Sequence, residues 1–222
     1  MFPIRDTERS YSRPVVTILI ILLNVLAFLY EYSLDPGQRE LFIHSYGLVP
    51  DEFRMQNVFT SMFLHAGLMH ILGNMWFLWI FGDNIEDTLG HGKYLLFYLA
   101  CGLAAGLTQY VVNTTSRVPM VGASGAIAGV MGAYMVKFPH SRIRTLVFFF
   151  FIMFLDIPAW VMLIYWFGTQ LLSGFGSIGY TQASQGGTAF FAHIGGFITG
   201  LILIKALPTR ERRWRRTDPY SW

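Results

Sequence analysis

The chain has 222 residues, of which 54% are hydrophobic and 13% charged, with a formal net charge of +3 at pH 7. A soluble domain averages about 25% charged residues. The deficit, with a mean hydropathy of +0.46, excludes an ordinary soluble enzyme and points to an integral membrane protein. The single cysteine, Cys101, excludes an intrachain disulfide and a cysteine metal site.

Residues 1–13 read as a short polar, basic arm. The first apolar stretch, 15–32, holds one strongly polar residue, Asn24. No small-residue cleavage site follows it, so it reads as a span and not as a cleavable signal. Residues 33–67 form a long connection with Pro36, Gly37, Gly47 and Pro50, and with apolar Leu41, Phe42, Ile43, Phe59 and Phe63. A connection of this length is usually structured or functional, and its apolar content predicts partial immersion in the outer leaflet. The second stretch, 68–82, is expected to end near Gly82-Asp83, with Asp83, Glu86 and Asp87 on a solvated cytoplasmic turn. The third covers 94–112. The loop 113–122 then dips back, and Pro119 precludes an unbroken helix there.

The fourth stretch, 124–139, starts at Ser124 itself and reaches the basic turn Lys137 to Arg144. Residues 145–173 are too long for one simple span. Asp156 as a cap and Pro158 in the first turn predict a fifth helix over 158–173, with 145–155 as an aromatic-rich, partly embedded lead-in. Residues 174–187 carry Gly174, Gly176, Gly179, Gly186 and Gly187 and no charge, which predicts a pliable outward loop that caps and gates a site. The sixth stretch, 187–206, carries His193. A span needs about 20 mostly apolar residues. The expectation is an all-α membrane protein of six transmembrane helices in one domain, 14–206, with an embedded first outward loop, an N-terminal arm (1–13) and a basic tail (207–222).

Six spans put both termini on one side. Of the 16 basic residues, only Arg39, Arg54 and Arg117 fall on the other side, so the positive-inside rule makes both termini cytoplasmic. The run Arg210 to Arg216 is read as a juxtamembrane anchor to anionic lipid and not as a nucleic-acid patch.

Polar groups in bilayer-spanning segments are costly unless used. Three motifs stand out: His70-Ile-Leu-Gly-Asn74, Gly122-Ala-Ser124-Gly125 and Ala192-His193-Ile-Gly-Gly196. At 1.5 Å per residue, Ser124 stands roughly 20 Å above Lys137, His193 roughly 18 Å above Lys205, His70 roughly 20 Å above Asp83 and Asn74 roughly 14 Å above it. Within a ~30 Å hydrocarbon core the four share one layer in the outer half. Ser124 and His193 are the nucleophile and base types of acyl transfer. A helix N-terminus at Ser124 leaves amide N–H groups unpaired and able to stabilise an oxyanion. The glycines Gly125 and Gly129 on the fourth helix, and Gly196 and Gly200 on the sixth, form small-residue stripes that let helices approach closely. No acidic residue lies between Thr88 and Leu155, and Asp156 is at the wrong end of its helix to serve His193, so a Ser-His dyad is expected instead of a triad. His65 is assigned to support of the embedded loop. The His65/His70 spacing is poor for metal, and no metal site is expected.

These residues, in this order across six spans, resemble the rhomboid family of intramembrane serine proteases, over roughly 14–206. The resemblance implies Ser124 as nucleophile, His193 as base, and His70, Asn74 and the Ser124 amide as oxyanion stabilisers. It further implies cleavage of transmembrane protein substrates near their outer ends, within the lipid bilayer and without a cofactor. A prokaryotic plasma membrane is the expected location; the oligomeric state is left open. Two positions depart from the family pattern. Gln56-Asn57 stands where many members carry Trp-Arg, and Ala128 stands where many carry a tyrosine packed on the histidine, so another group must orient His193. The alternatives are a non-catalytic relative that binds transmembrane helices and a small transporter, whose broken helices and midplane polar groups look similar.

Overall fold

The computed structural model describes residues 2–148, 151–177 and 189–210. Helix α1 (Val15–Ser33) begins after Pro14, which supplies no side-chain cap. The cap comes from a distant part of the chain. The fully buried Glu86 carboxylate accepts from the amides of Val16 and Thr17 at 2.8 Å each and from the Thr17 hydroxyl at 2.7 Å. An anion there satisfies first-turn N–H groups and complements the helix dipole. Glu86 lies on α4 (Leu68–Leu89), which continues past Gly82. The acidic run is therefore not a solvated turn: Asp83 accepts from the Ser10 hydroxyl at 2.6 Å, and Asp87 from the Ser12 amide at 3.0 Å. Together these carboxylates fix the approach of the chain to α1.

The connection between α1 and α4 is structured. It contains α2 (Pro36–Tyr46), capped by the Asp35 side chain with Pro36 in the first turn, α3 (Met55–Thr60), and two 3-10 turns, Pro50–Glu52 and Ser61–Phe63. Asn57 donates to the carbonyls of Ser45 at 3.1 Å and Gly47 at 2.8 Å, which pins the end of α2 against α3. That is the work of one of the two residues standing in place of Trp-Arg. The segment Met55–Phe63 then meets α4 at a 90° bend.

Gly90, with φ +79°, ends α4 and starts α5 (His91–Val112). Helix α6 (Ser124–Lys137) does begin at the serine, and every residue from Gly125 to Tyr134 is buried. It is the central helix, packed between α5, α4 and α8 (Phe190–Ala206). The expected glycine stripes make this possible. A Cβ on Gly196 would run into the carbonyl of Gly125, and one on Gly200 into that of Gly129; Cβ atoms on Gly125 and Gly129 would run into Ala105 and Cys101 of α5.

The region 142–158 departs from expectation. It forms β2 (Arg142–Phe148) and β3 (Ile152–Pro158), antiparallel to each other, and β1 (Phe2–Asp6) of the N-terminal arm adds to β2, giving the order β1-β2-β3. The fold is thus mostly helical but not all-α. Beta-branched and aromatic residues crowd this stretch (Ile143, Thr145, Val147, Ile152, Phe154, Ile157), and they favour a pleated surface over a helix. Asp156 caps nothing: it lies opposite Arg144 and pairs with it at 3.1 Å. Pro158 closes β3, a position proline tolerates at a sheet edge, and α7 (Ala159–Ser177) starts one residue later. Helix α7 runs through Gly174 and Gly176, so the expected loop does not begin at 174; its remainder, 178–188, lies outside the described residues, as do 211–222 of the basic tail. The sheet is tied to α4, where Trp76 Nε1 donates to the Pro3 carbonyl at 2.7 Å and Phe2 stacks on the Trp76 ring.

Candidate active site

Three local features bring Ser124 and His193 together. Ser124 opens α6 after Gly122, whose φ of +122° is a conformation that L side chains rarely adopt. His193 sits in the first turn of α8, where the Ala192 amide is held by Gln109 Oε1 at 3.2 Å. The contact of Gly196 with Gly125 then brings α6 and α8 almost backbone to backbone. The result is a hydrogen bond of 2.7 Å between Ser124 Oγ and His193 Nε2. Ser124 does not bond back to a carbonyl of its own helix, as a membrane-helix serine usually would.

His70 and Asn74 face the same spot from α4. A Cβ built on Gly122 would lie 2.8 Å from His70 Nε2 and 3.6 Å from Asn74 Nδ2. Any side chain at 122 would therefore fill the space between the serine and these two donors. Asn74 Nδ2 also donates to the His70 carbonyl at 3.1 Å, one turn earlier, which holds its amide in place. A cavity of about 670 Å³ opens here, with His70, Asn74, Phe77, Ser124, Trp166 and His193 in its wall. Ser124, His193, His70 and Asn74 thus share one chamber. His65 is buried beside His70, ring centroids 5.1 Å apart, and its amide donates to Glu31 at 3.1 Å.

Two partners of His193 escaped the sequence reading. Gln170 of α7 places Oε1 2.8 Å from His193 Nδ1. Trp166, one turn earlier, lays its ring 5.7 Å from the imidazole. Ala128, at the position where many relatives have a tyrosine, is fully buried in the core instead. The missing signal was present: Gln170 lies roughly 17 Å up α7 from Ala159, in the layer already assigned to Ser124 and His193, and an amide at that depth needs a partner.

Residues 52–210 match the Rhomboid domain family, a stretch that includes His70, Asn74, Ser124, His193 and Gln170. The chain belongs to the rhomboid family. Among curated relatives of this rhomboid protein, Rhomboid protease GluP of Bacillus subtilis is 32% identical over 139 residues, 59% of this chain and 27% of the relative. The human presenilin-associated rhomboid-like protein, mitochondrial, is 32% identical over 126 residues, 56% of this chain and 33% of the relative. Yeast Rhomboid protein 1, mitochondrial, is 27% identical over 187 residues, 78% of this chain and 49% of the relative. The chain thus spans half or less of the length of these relatives. Family and apolar helices together make it a membrane protein: α1 and α5 are each long and apolar enough to cross a bilayer.

Proposed function

We propose that this rhomboid protein is an intramembrane serine endopeptidase that cleaves transmembrane protein substrates near their outer ends. The observation that carries the reading is the 2.7 Å bond between Ser124 Oγ and His193 Nε2 in the wall of the cavity. Ser124 Oγ attacks the scissile carbonyl carbon while its proton passes to His193 Nε2. His193 returns that proton to the leaving amine as the C–N bond breaks, and water then repeats the cycle on the acyl-enzyme. His70, Asn74 and the Ser124 amide are the donors for the oxyanion, since they converge on the space beside Ser124.

The six spans are α1, α4, α5, α6, α7 and α8, with the segment holding α2 and α3 seated in the outer leaflet. Lys93 lies at the start of α5 and Lys137 and Lys205 at the ends of α6 and α8, and by the positive-inside rule we assign that end to the cytoplasm. We place the protein in a prokaryotic plasma membrane, in line with its bacterial relative; its mitochondrial relatives make an organelle membrane the alternative that fractionation would reveal. A chamber already holding a nucleophile bonded to a base supports catalysis over the transporter and the non-catalytic binder.

Ser124→Ala and His193→Ala should each abolish cleavage of a reconstituted transmembrane substrate and abolish labelling by a small phosphonylating serine probe, with the melting temperature unchanged. Cleavage by either variant at the wild-type rate would refute the dyad.

A further inference from the structure

The proposed base needs a fixed tautomer. It can take a proton from Ser124 only if Nε2 carries a lone pair, so that the neutral ring holds its hydrogen on Nδ1. Sequence supplies no carboxylate to enforce this, and among the described residues Asp156 is committed to Arg144.

We infer that Gln170 is the positioning residue for His193, the third member of a neutral Ser-His-Gln hydrogen-bonded chain. The inference rests on the reading of Ser124 and His193 as the catalytic pair. What fixes Gln170 is the far end of its own amide. Its Nε2 donates to the Trp166 carbonyl at 3.3 Å and to Thr169 Oγ1 at 3.1 Å. Thr169 spends its own hydroxyl hydrogen on that same Trp166 carbonyl, at 2.6 Å, so its oxygen has only lone pairs left for Gln170. Both partners on this side are acceptors, and the NH₂ end must face them. The oxygen end therefore points at His193, 2.8 Å from Nδ1. An oxygen acceptor there requires a hydrogen on Nδ1, which leaves the Nε2 lone pair aimed at the Ser124 hydroxyl.

Trp166 limits the remaining freedom of the ring by packing on it, and belongs to the same turn of α7 as the carbonyl that orients Gln170. One helical turn thus supplies both a ring for the imidazole to rest on and a hydrogen-bond acceptor for its distal nitrogen. The neutral partner has a further consequence. A carboxylate in this apolar layer would add the desolvation cost of a charge, whereas an amide sets direction without it. The imidazolium formed during attack keeps its Nδ1–H bond to Gln170, and no proton leaves that nitrogen.

The test compares Gln170→Leu with Gln170→Glu in the full-length protein reconstituted in bilayers, reading kcat, KM, the pH profile of kcat/KM and the rate of Ser124 labelling by a phosphonylating probe. Leucine removes the acceptor, so kcat and probe labelling should fall together by about 10- to 1000-fold with KM unchanged, short of the ~10⁴ seen when a charged partner is made to hold the wrong tautomer. Glutamate keeps an acceptor and adds charge that favours the imidazolium, so it should recover activity over leucine while its acid limb moves up by about one pH unit or more. A leucine variant with the wild-type rate and profile would overturn the inference, as would equal losses in both variants, whatever their melting temperatures. Wild-type protein that fails to label at Ser124 would instead defeat the proposed catalytic pair itself.

Discussion

The two ends of α6 hold polar groups in opposite ways. At the Ser124 end the groups are neutral and face a cavity: a hydroxyl, imidazoles and amides, positioned by backbones in close contact. At the Lys137 end they are carboxylates, and they face hydroxyls and amides. Tyr134 donates to Asp6 at 2.6 Å, Ser10 to Asp83 at 2.6 Å and Ser141 to Glu8 at 2.7 Å. The first arrangement keeps hydrogen-bonding capacity in reserve for something that arrives. The second uses its capacity to tie β1, α4, α6 and the start of β2 together. Charge alone is therefore a poor guide to chemistry in this molecule: this cluster of carboxylates is a clasp, and the candidate site is lined by hydroxyl, imidazole and amide groups.

The largest expected effect breaks the geometry on which the Ser124 end depends. Gly200→Val places side-chain atoms where the Gly129 carbonyl now sits. Backbone cannot yield as a side-chain tip can, and overpacking of this kind costs about 1–3 kcal/mol or more. Helices α6 and α8 should separate, and little folded protein should be recovered by size-exclusion chromatography in detergent. A well-folded, active valine variant would show that close approach of the two helices is not what positions the dyad.

A smaller effect isolates the chemistry from the fold. Asn74→Ala removes one donor of the proposed oxyanion site while leaving the α6–α8 contact alone. A single such donor is worth roughly 10²–10³ in rate. The loss should fall on kcat, with KM and melting temperature close to wild type. A change confined to KM would make Asn74 a substrate-binding or structural residue and remove it from the oxyanion site.

The contrast between the two ends also explains what could be read from sequence. Ser124, His193, His70 and Asn74 were legible because polar residues in apolar helices are rare and a rise of 1.5 Å per residue converts position into depth. The glycines were legible because close helix packing in a membrane demands small residues. The three-stranded sheet was not. Its β2–β3 segment is a long apolar run, and periodicity cannot separate a strand from a helix when both faces are apolar. Its first strand is five residues of the arm whose partner lies far along the chain. Glu86 was misread for a related reason: a carboxylate after the apolar part of a helix is ordinarily solvated, and only the tertiary fold reveals the start of α1 placed over it. Gln170 fell between these cases, legible by depth but eclipsed by residues with better-known chemistry.

The smallest expected effect tests whether the clasp is independent of the site. Asp6 titrates at about 6, raised above its ordinary value of 3.8 chiefly by burial, with Asp83 and Glu8 adding repulsion and the Tyr134 hydrogen bond acting against the rise. A carboxyl whose folded pKa lies above its unfolded value binds protons more tightly when folded. Its contribution is therefore present in full below about pH 4, declines as pH rises through the interval from 4 to 6, and is gone above it. A displacement of this size is worth at most ~3 kcal/mol, and solvent screening at this partly exposed group reduces it. Asn84, Ser10 and Ser141 face the same cluster but do not titrate. Asp6→Asn should keep the neutral hydrogen-bonding form at every pH, so the fall in melting temperature between pH 4 and 6 should shrink relative to wild type. Turnover of folded protein at fixed pH should not change, because neither Asp6 nor its partner Tyr134 lines the cavity. If the asparagine variant instead lost activity in proportion to stability, the two ends of α6 would be coupled, and the sheet would belong to the working parts of the protein.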